Sequence, residues 1–254
     1  MTGAVPDERV GELTAALAVL RARLVRAADA AGRPVEDIML LPITKFFPAT
    51  DVAILWRLGC RAFGESREQE ATAKIAELDR LIAGSGEPVP AHWHMVGQIQ
   101  RNKAKSIAAW ADTVHSVSTD RVAEALGRAA ADAIGDGHRS RSLRVFVQIS
   151  LDGDTTRGGV DISDSAAVDR ICAQVADSQA LELVGLMAVP PLGADPDAAF
   201  SALSEEHRRI QRTHPGATEL SAGMSDDLEV AVRHGSTCVR VGTALMGKRP
   251  LTSP

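Results

Sequence analysis

Residues 37–45 read DIMLLPITK. Positions 39–43 form an almost unbroken apolar run, the length and composition of a strand buried on both faces in a parallel sheet. The run ends on a hydroxyl, Thr44, and a single lysine, Lys45, followed by Phe46, Phe47 and Pro48. A lysine at the mouth of a buried strand, among apolar neighbours, carries a poorly solvated charge. Its neutral form is a nucleophile capable of Schiff-base chemistry. The pattern equally suits a lysine that lays its stem on apolar surface and keeps its ammonium in water. The stretch alone leaves both readings open.

Working outward, residues 7–31 place Leu13, Leu17, Leu20 and Leu24 at helical spacing, and Gly32 and Pro34 stop the pattern. This helix is expected against the outside or the bottom of the body. Beyond Lys45, Thr50 is expected to cap a helix over 51–58, and 61–64 reads as a short strand. Ser66 is expected to cap the next helix, with Glu70 and Lys74 as an i,i+4 pair and Ala71, Ile75 and Leu78 facing inward. Residues 83–90 are a turn-rich loop. Further strands are expected at 92–96, 113–117, 143–149, 183–189, 219–221 and 237–241. Helices between them start near Thr119, at Asp164, at Asp195 with Pro196 in the first position, and at Ser225. Eight strands alternating with helices in one chain predict an α/β fold, a single (β/α)8 TIM-type barrel over 1–254, with residues 1–36 as an extra N-terminal helix packed on it. A doubly wound open sheet is the alternative.

Composition narrows the function. Of 254 residues, 45% are hydrophobic and 24% charged, and the net charge of -5 disfavours nucleic acid or an anionic membrane as partner. No run is long enough for a membrane span, and MTGAVPDERV lacks the apolar core of a targeting segment, so a cytoplasmic location is expected. Cys60, Cys172 and Cys238 form no CxxC pair and read as buried small hydrophobes in a reducing compartment. His92 and His94 flank Trp93 without a third ligand at metal spacing, so no metal site is expected. Trp56, Trp93 and Trp110 read as packing residues. The basic stretch 97–106 reads as a solvated helix face, although it could reach a phosphate. Tyrosine is absent, which excludes any mechanism that needs a phenol.

Barrel active sites lie at the C-terminal ends of the strands, and phosphate is often held after the last two. The residues expected there are Thr44 and Lys45, Gly64 and Glu65, His94 and Gly97, Ser221, and Arg240 with Gly242 and Thr243. Gly242 and Thr243 offer backbone N–H groups and a hydroxyl for a phosphate, with Ser221 beside them; an ordinary turn would use the same pair. The helix start at Ser225 is a poorer cradle, because Asp226 and Asp227 repel an anion. A strand arginine such as Arg240 needs an acceptor, either a carboxylate such as Glu65 or a ligand atom.

The segments ITKFFP (43–48), FGESREQE (63–70), HWHMVGQIQRNK (92–103), VHSV (114–117), GLMAV (185–189), LSAGMSDDLEVAV (220–232) and VRVGTALMG (239–247) resemble, in order, those of the pyridoxal 5′-phosphate homeostasis proteins. These are small barrel proteins related to the N-terminal domain of alanine racemases. The resemblance implies a barrel of that kind, with pyridoxal 5′-phosphate bound as an internal aldimine on Lys45. It also implies phosphate contacts from Ser221, Gly242 and Thr243, Arg240 facing the pyridine nitrogen, and Met224 close by. Ser66, Phe47 and Arg157 replace an asparagine and two lysines common in the family.

An arginine opposite the pyridine nitrogen makes the cofactor a weaker electron sink than a carboxylate would. The related racemases add a second domain and a tyrosine base, neither of which this chain is expected to have. The resemblance therefore implies a monomeric carrier without catalytic activity of its own, which buffers the cofactor and supplies apo forms of pyridoxal-phosphate enzymes. The alternatives are a weak amino-acid racemase or lyase with Lys45 as sole base, and a Schiff-base aldolase acting on a sugar phosphate.

Overall fold

The computed structural model describes residues 7–83 and 90–248. The chain enters through α1 (Asp7–Ala30), then runs β1 (Met39–Pro42), α2 (Ala49–Arg57), β2 (Ala62–Glu65), α3 (Glu68–Ile82), β3 (His92–Met95), α4 (Ala104–Trp110) and β4 (Thr113–Val117). It continues with α5 (Asp120–Gly135), β5 (Leu143–Ser150), β6 (Val160–Asp161), α6 (Ser165–Ala176), β7 (Leu181–Ala188), α7 (Pro196–Gln211), β8 (Glu219–Ser221), α8 (Leu228–Arg233), β9 (Cys238–Val241) and α9 (Thr243–Met246).

All strand pairs are parallel, in the order β1-β9-β8-β7-β5-β4-β3-β2. Between β2 and β1 a single bridge, Ile43 to Gly64, brings the ends together, and the Thr44 amide donates to the Gly64 carbonyl at 3.0 Å. The eight strands make a nearly closed barrel, as expected. The two-residue β6, which no apolar run announces, pairs with β5 outside that path.

The core lies mainly in the layer between strands and helices, where Leu126, Val147, Val168, Leu186 and Leu203 are fully buried. On α1 the expected stripe of Leu13, Leu17, Leu20 and Leu24 is buried against a layer formed by α2, α8 and α9, so the helix lies along the outside of the barrel. Burying each leucine stabilises that attachment by roughly 2 kcal/mol.

Thr119, Asp164 and Asp195 cap their helices through side-chain oxygens that accept from Val122 N at 3.3 Å, Ala167 N at 3.0 Å and Asp197 N at 3.2 Å. Three other expectations differ. Thr50 lies inside α2, because Pro48, extended at φ -72° and ψ 163°, already holds the N-cap position without a side-chain cap. Arg67 rather than Ser66 precedes α3, again without a side-chain cap. The helix expected from Ser225 begins only at Leu228, because the Asp227 carboxylate accepts from Met224 N at 2.6 Å and folds the preceding residues into a turn. Within the expected loop at 83–90, residues 84–89 lie outside the described residues.

A candidate ligand cleft at the strand C-termini

Strands β1 and β9 are hydrogen-bonded neighbours, with Leu41 opposite Arg240 and Pro42 opposite Val241. That register brings Lys45, two residues past the bridge at Ile43, beside the residues that leave β9. A cleft of about 530 Å³ opens there, and Lys45, Met224, Arg240, Gly242 and Thr243 all line it. These are five of the six residues marked in the sequence. The sixth is elsewhere: Ser221 is fully buried and does not line the cleft. Ser225, four residues further on, lines it instead, and its hydroxyl accepts from the Ala244 amide at 3.3 Å. The sequence carried this signal in GMSDD, but the acidic pair after Ser225 argued against it. In the structure Asp227 turns back to the Met224 amide and only Asp226 lines the cleft.

Lys45 is half-buried in a turn closed by Phe47 N donating to Thr44 O at 3.1 Å. Phe46, at φ 71°, is the only non-glycine residue with a left-handed backbone among the described residues. Such a conformation costs a non-glycine residue on the order of 1–2 kcal/mol, and strain of this kind concentrates at functional sites. The Phe46 ring lies 5.8 Å from the Lys45 ammonium. A buried ion pair anchors the base of the turn. Lys74 Nζ donates to Thr44 O at 2.8 Å and to Glu65 Oε1 at 2.6 Å, and Thr44 Oγ1 donates to the same oxygen at 2.6 Å. Lys74 therefore does not pair with Glu70, which takes Arg67 at 2.7 Å. Burial raises the Glu65 pKa, with the Lys74 charge and the hydrogen bonds from Lys74 and Thr44 opposing it.

Gly223 lets the chain turn from β8 to Met224. Its φ is +88°, and a Cβ there would stand 2.5 Å from the Ala231 Cβ.

Arg240 is buried, and no carboxylate pairs with it among the described residues. Its Nη1 donates to Ser221 Oγ at 2.6 Å and its Nη2 to Ala188 O at 2.9 Å. Burial lowers its pKa. Behind Ser221 the chain of contacts continues: Ser221 Oγ lies 2.9 Å from His115 Nδ1, and His115 Nε2 lies 2.9 Å from His94 Nδ1. His94 is thus an interior residue, not one at the C-terminal mouth. Burial, then the charges of Arg144 and His92, push its pKa down to about 3. Burial also holds His115 well below the ordinary range. His92 is exposed, 3.6 Å from Asp112. Nothing in the sequence linked His115 to this line, because its partners lie 21 and 106 residues away.

The donor set fits a phosphorylated aldehyde: a half-buried amine, a buried guanidinium without a carboxylate, and a hydroxyl-and-amide rim at Ser225, Gly242 and Thr243. The stretch 97–106 lies apart. Gln98, Gln100 and Lys103 line a second cleft of about 360 Å³ with Ser66, and Lys103 pairs with Glu68 at 3.3 Å.

The chain is similar to known proteins over nearly its whole length. Residues 17–250 match the alanine racemase, N-terminal domain family. The chain is 64% identical over 253 residues to a pyridoxal phosphate homeostasis protein of Mycobacterium tuberculosis (strain ATCC 25618 / H37Rv), covering 99% of this chain and 98% of that one. The structure of PipY from Synechococcus elongatus PCC7942 with PLP bound superposes with a TM-score of 0.73 at 33% identity, covering 88% of this chain and 99% of that one. An alanine racemase of Clostridium difficile 630 shares the fold, with a TM-score of 0.61 at 16% identity, over 92% of this chain and 58% of the racemase.

Proposed function

Because the chain belongs to the pyridoxal phosphate homeostasis protein family, built on the alanine racemase N-terminal domain, we propose that it binds pyridoxal 5′-phosphate in the Lys45 cleft and serves to buffer and deliver it. The observation that carries this reading is the convergence on one cleft of Lys45 with Met224, Arg240, Gly242 and Thr243, which lie 179 to 198 residues further along the chain. Lys45 supplies the amine that holds the cofactor's aldehyde as a Schiff base. The Ser225 hydroxyl and the Gly242-Thr243 backbone take its phosphate, and Met224 packs at its edge.

Arg240 meets the pyridine nitrogen. A guanidinium can only donate hydrogen bonds, so it leaves that nitrogen unprotonated. Bound there, the cofactor supplies an electrophilic aldehyde and an electron sink that this arginine keeps weak. The fully buried Ser221 acts behind Arg240 rather than on the phosphate. With no tyrosine in the sequence, Lys45 is the one amine in the cleft able to act as a base, and a two-base racemisation through a phenol has no candidate residue. The role is that of a reversible carrier for apo-enzymes. Among the described residues no helix is long and apolar enough to cross a membrane.

The test is transfer. Protein loaded with the cofactor and freed of excess by gel filtration is mixed with an apo-enzyme that needs it. The expected result is activation slower than with free cofactor but complete, and no activation from the Lys45→Ala variant treated identically. Equal activation by the variant overturns the reading.

A further inference from the structure

A further cavity, of about 550 Å³, lies at the opposite end of the barrel, where the strands begin: Met39 and Leu40 of β1, Ala62 of β2, His92 of β3 and Thr113 of β4 line it. Its charge is strongly one-sided. Arg21, Arg61, Arg139, Arg141 and Arg144 line the wall, against Asp112 as the only carboxylate there. Arg144 is paired outside the wall with Glu219 and, at 3.9 Å, with Glu182. The other four have no carboxylate within ion-pair distance among the described residues.

Arg61 is held by the Trp56 and Cys60 carbonyls at 2.6 and 2.8 Å, and Arg139 by those of Ala108 and Ala111 at 2.9 and 2.6 Å. Carbonyls at helix C-termini orient a guanidinium and offset part of its charge, without the full neutralisation a carboxylate would give. A concave wall carrying four guanidinium groups without carboxylate partners, two of them held in place by carbonyls, is a host for oxyanions. The cavity is the size of a small-molecule site.

His94 also lines this cavity although it is almost fully buried, and among the described residues no hydrogen bond engages its Nε2. It is the far end of the line that runs through His115 and Ser221 to Arg240 in the upper cleft. A neutral imidazole has one donor and one acceptor nitrogen, and a hydroxyl donates once. The line therefore has two coherent senses. In one, Ser221 donates to His115, His115 donates to His94, and His94 presents an N–H to the cavity. In the other each bond is reversed, His94 presents a lone pair, and the Ser221 oxygen accepts from both His115 and Arg240. An oxyanion in the cavity selects the first sense.

We propose that the cavity at the strand N-termini binds a small multivalent oxyanion, and that the His94–His115–Ser221 line transmits its presence to Arg240 in the cofactor cleft. The second half rests on the reading of Arg240 as the cofactor's partner; the first half does not.

The experiment uses full-length protein with its cofactor fixed by borohydride, so that the upper phosphate position is filled. Inorganic phosphate and citrate are titrated separately while the imidazole nitrogens are followed by NMR and the fixed cofactor by its absorbance. Saturable shifts of the His94 and His115 resonances are expected, together with a saturable change in the cofactor band. A response to phosphate alone, or to citrate alone, identifies the preferred class. Ser142→Glu, which puts a carboxylate on the cavity wall, and Arg141→Ser are each expected to weaken binding about tenfold or more without changing cofactor content. His94→Gln is expected to keep the binding and lose the cofactor response. No saturable shift with either anion, or unchanged affinity in both wall variants, overturns the site. Binding with an unaltered cofactor band overturns the transmission. If no cofactor can be fixed, the function proposed above is lost, and the same titration of the cofactor-free chain still decides whether the anion site exists.

Discussion

The Arg240 guanidinium donates to the Ser221 hydroxyl at 2.6 Å instead of pairing with a carboxylate. A buried cation held by a neutral hydroxyl and a carbonyl keeps its full charge available to a ligand. Ser221 and Ser225 then divide the work, the first behind the arginine and the second in the cleft. Ser225→Ala is expected to weaken cofactor binding about 10- to 100-fold, the loss of a hydrogen bond to a charged group. Ser221→Ala should cost less affinity but displace the absorbance band, because Arg240 loses a positioning contact. Equilibrium dialysis with spectra of both variants checks this. The reverse ranking contradicts the assignment.

The Glu65–Lys74 pair predicts a stability defect separable from binding. Lys74→Met leaves a fully buried carboxylate without its cation, which costs about 3–5 kcal/mol. Changing both partners, Glu65→Gln with Lys74→Met, should cost less than Lys74→Met alone, because no unpaired charge remains. Urea midpoints of the two variants measure it. A double variant less stable than the single contradicts the ion-pair account.

Acid should destabilise the fold through the buried imidazoles. The folded His94 pKa is pushed down to about 3, below the ordinary 6.5, and His115 is lowered too. Above pH 6.5 neither state takes up protons on these rings, and their contribution is fully present. Below it the unfolded chain binds protons that the folded protein refuses, so stability falls by up to about 1.4 kcal/mol per pH unit per ring, until the folded pKa is reached. Urea unfolding at pH 7 and pH 5 should show this loss, and His94→Gln should reduce the slope. An unchanged slope in that variant would falsify the attribution.

How much of this was legible in the sequence follows from distance along the chain. The strands could be read because parallel strands are apolar where both faces are covered, as at 41–43 and 145–147. The caps at Thr119, Asp164 and Asp195 could be read because they act within three residues. The cleft residues Lys45, Met224, Arg240, Gly242 and Thr243 were reachable through the barrel rule and the motifs. The partners of Lys74 and Ser221 were not. A helix face favours Glu70 for Lys74, and only the closed barrel presents Glu65. Ser221 ends a three-residue strand, too short to reveal by alternation that its side chain is buried beside Arg240 and His115.

Lys45 remains the centre of the account, and its chemistry can be read directly. Protein loaded with pyridoxal 5′-phosphate is reduced with borohydride, digested and mapped by mass spectrometry, with the near-visible absorbance recorded before reduction. The account predicts an absorbance band that is lost in Lys45→Ala, and one cofactor fixed on the peptide carrying Lys45. Cofactor fixed on another lysine, or retained without any covalent link, would contradict it.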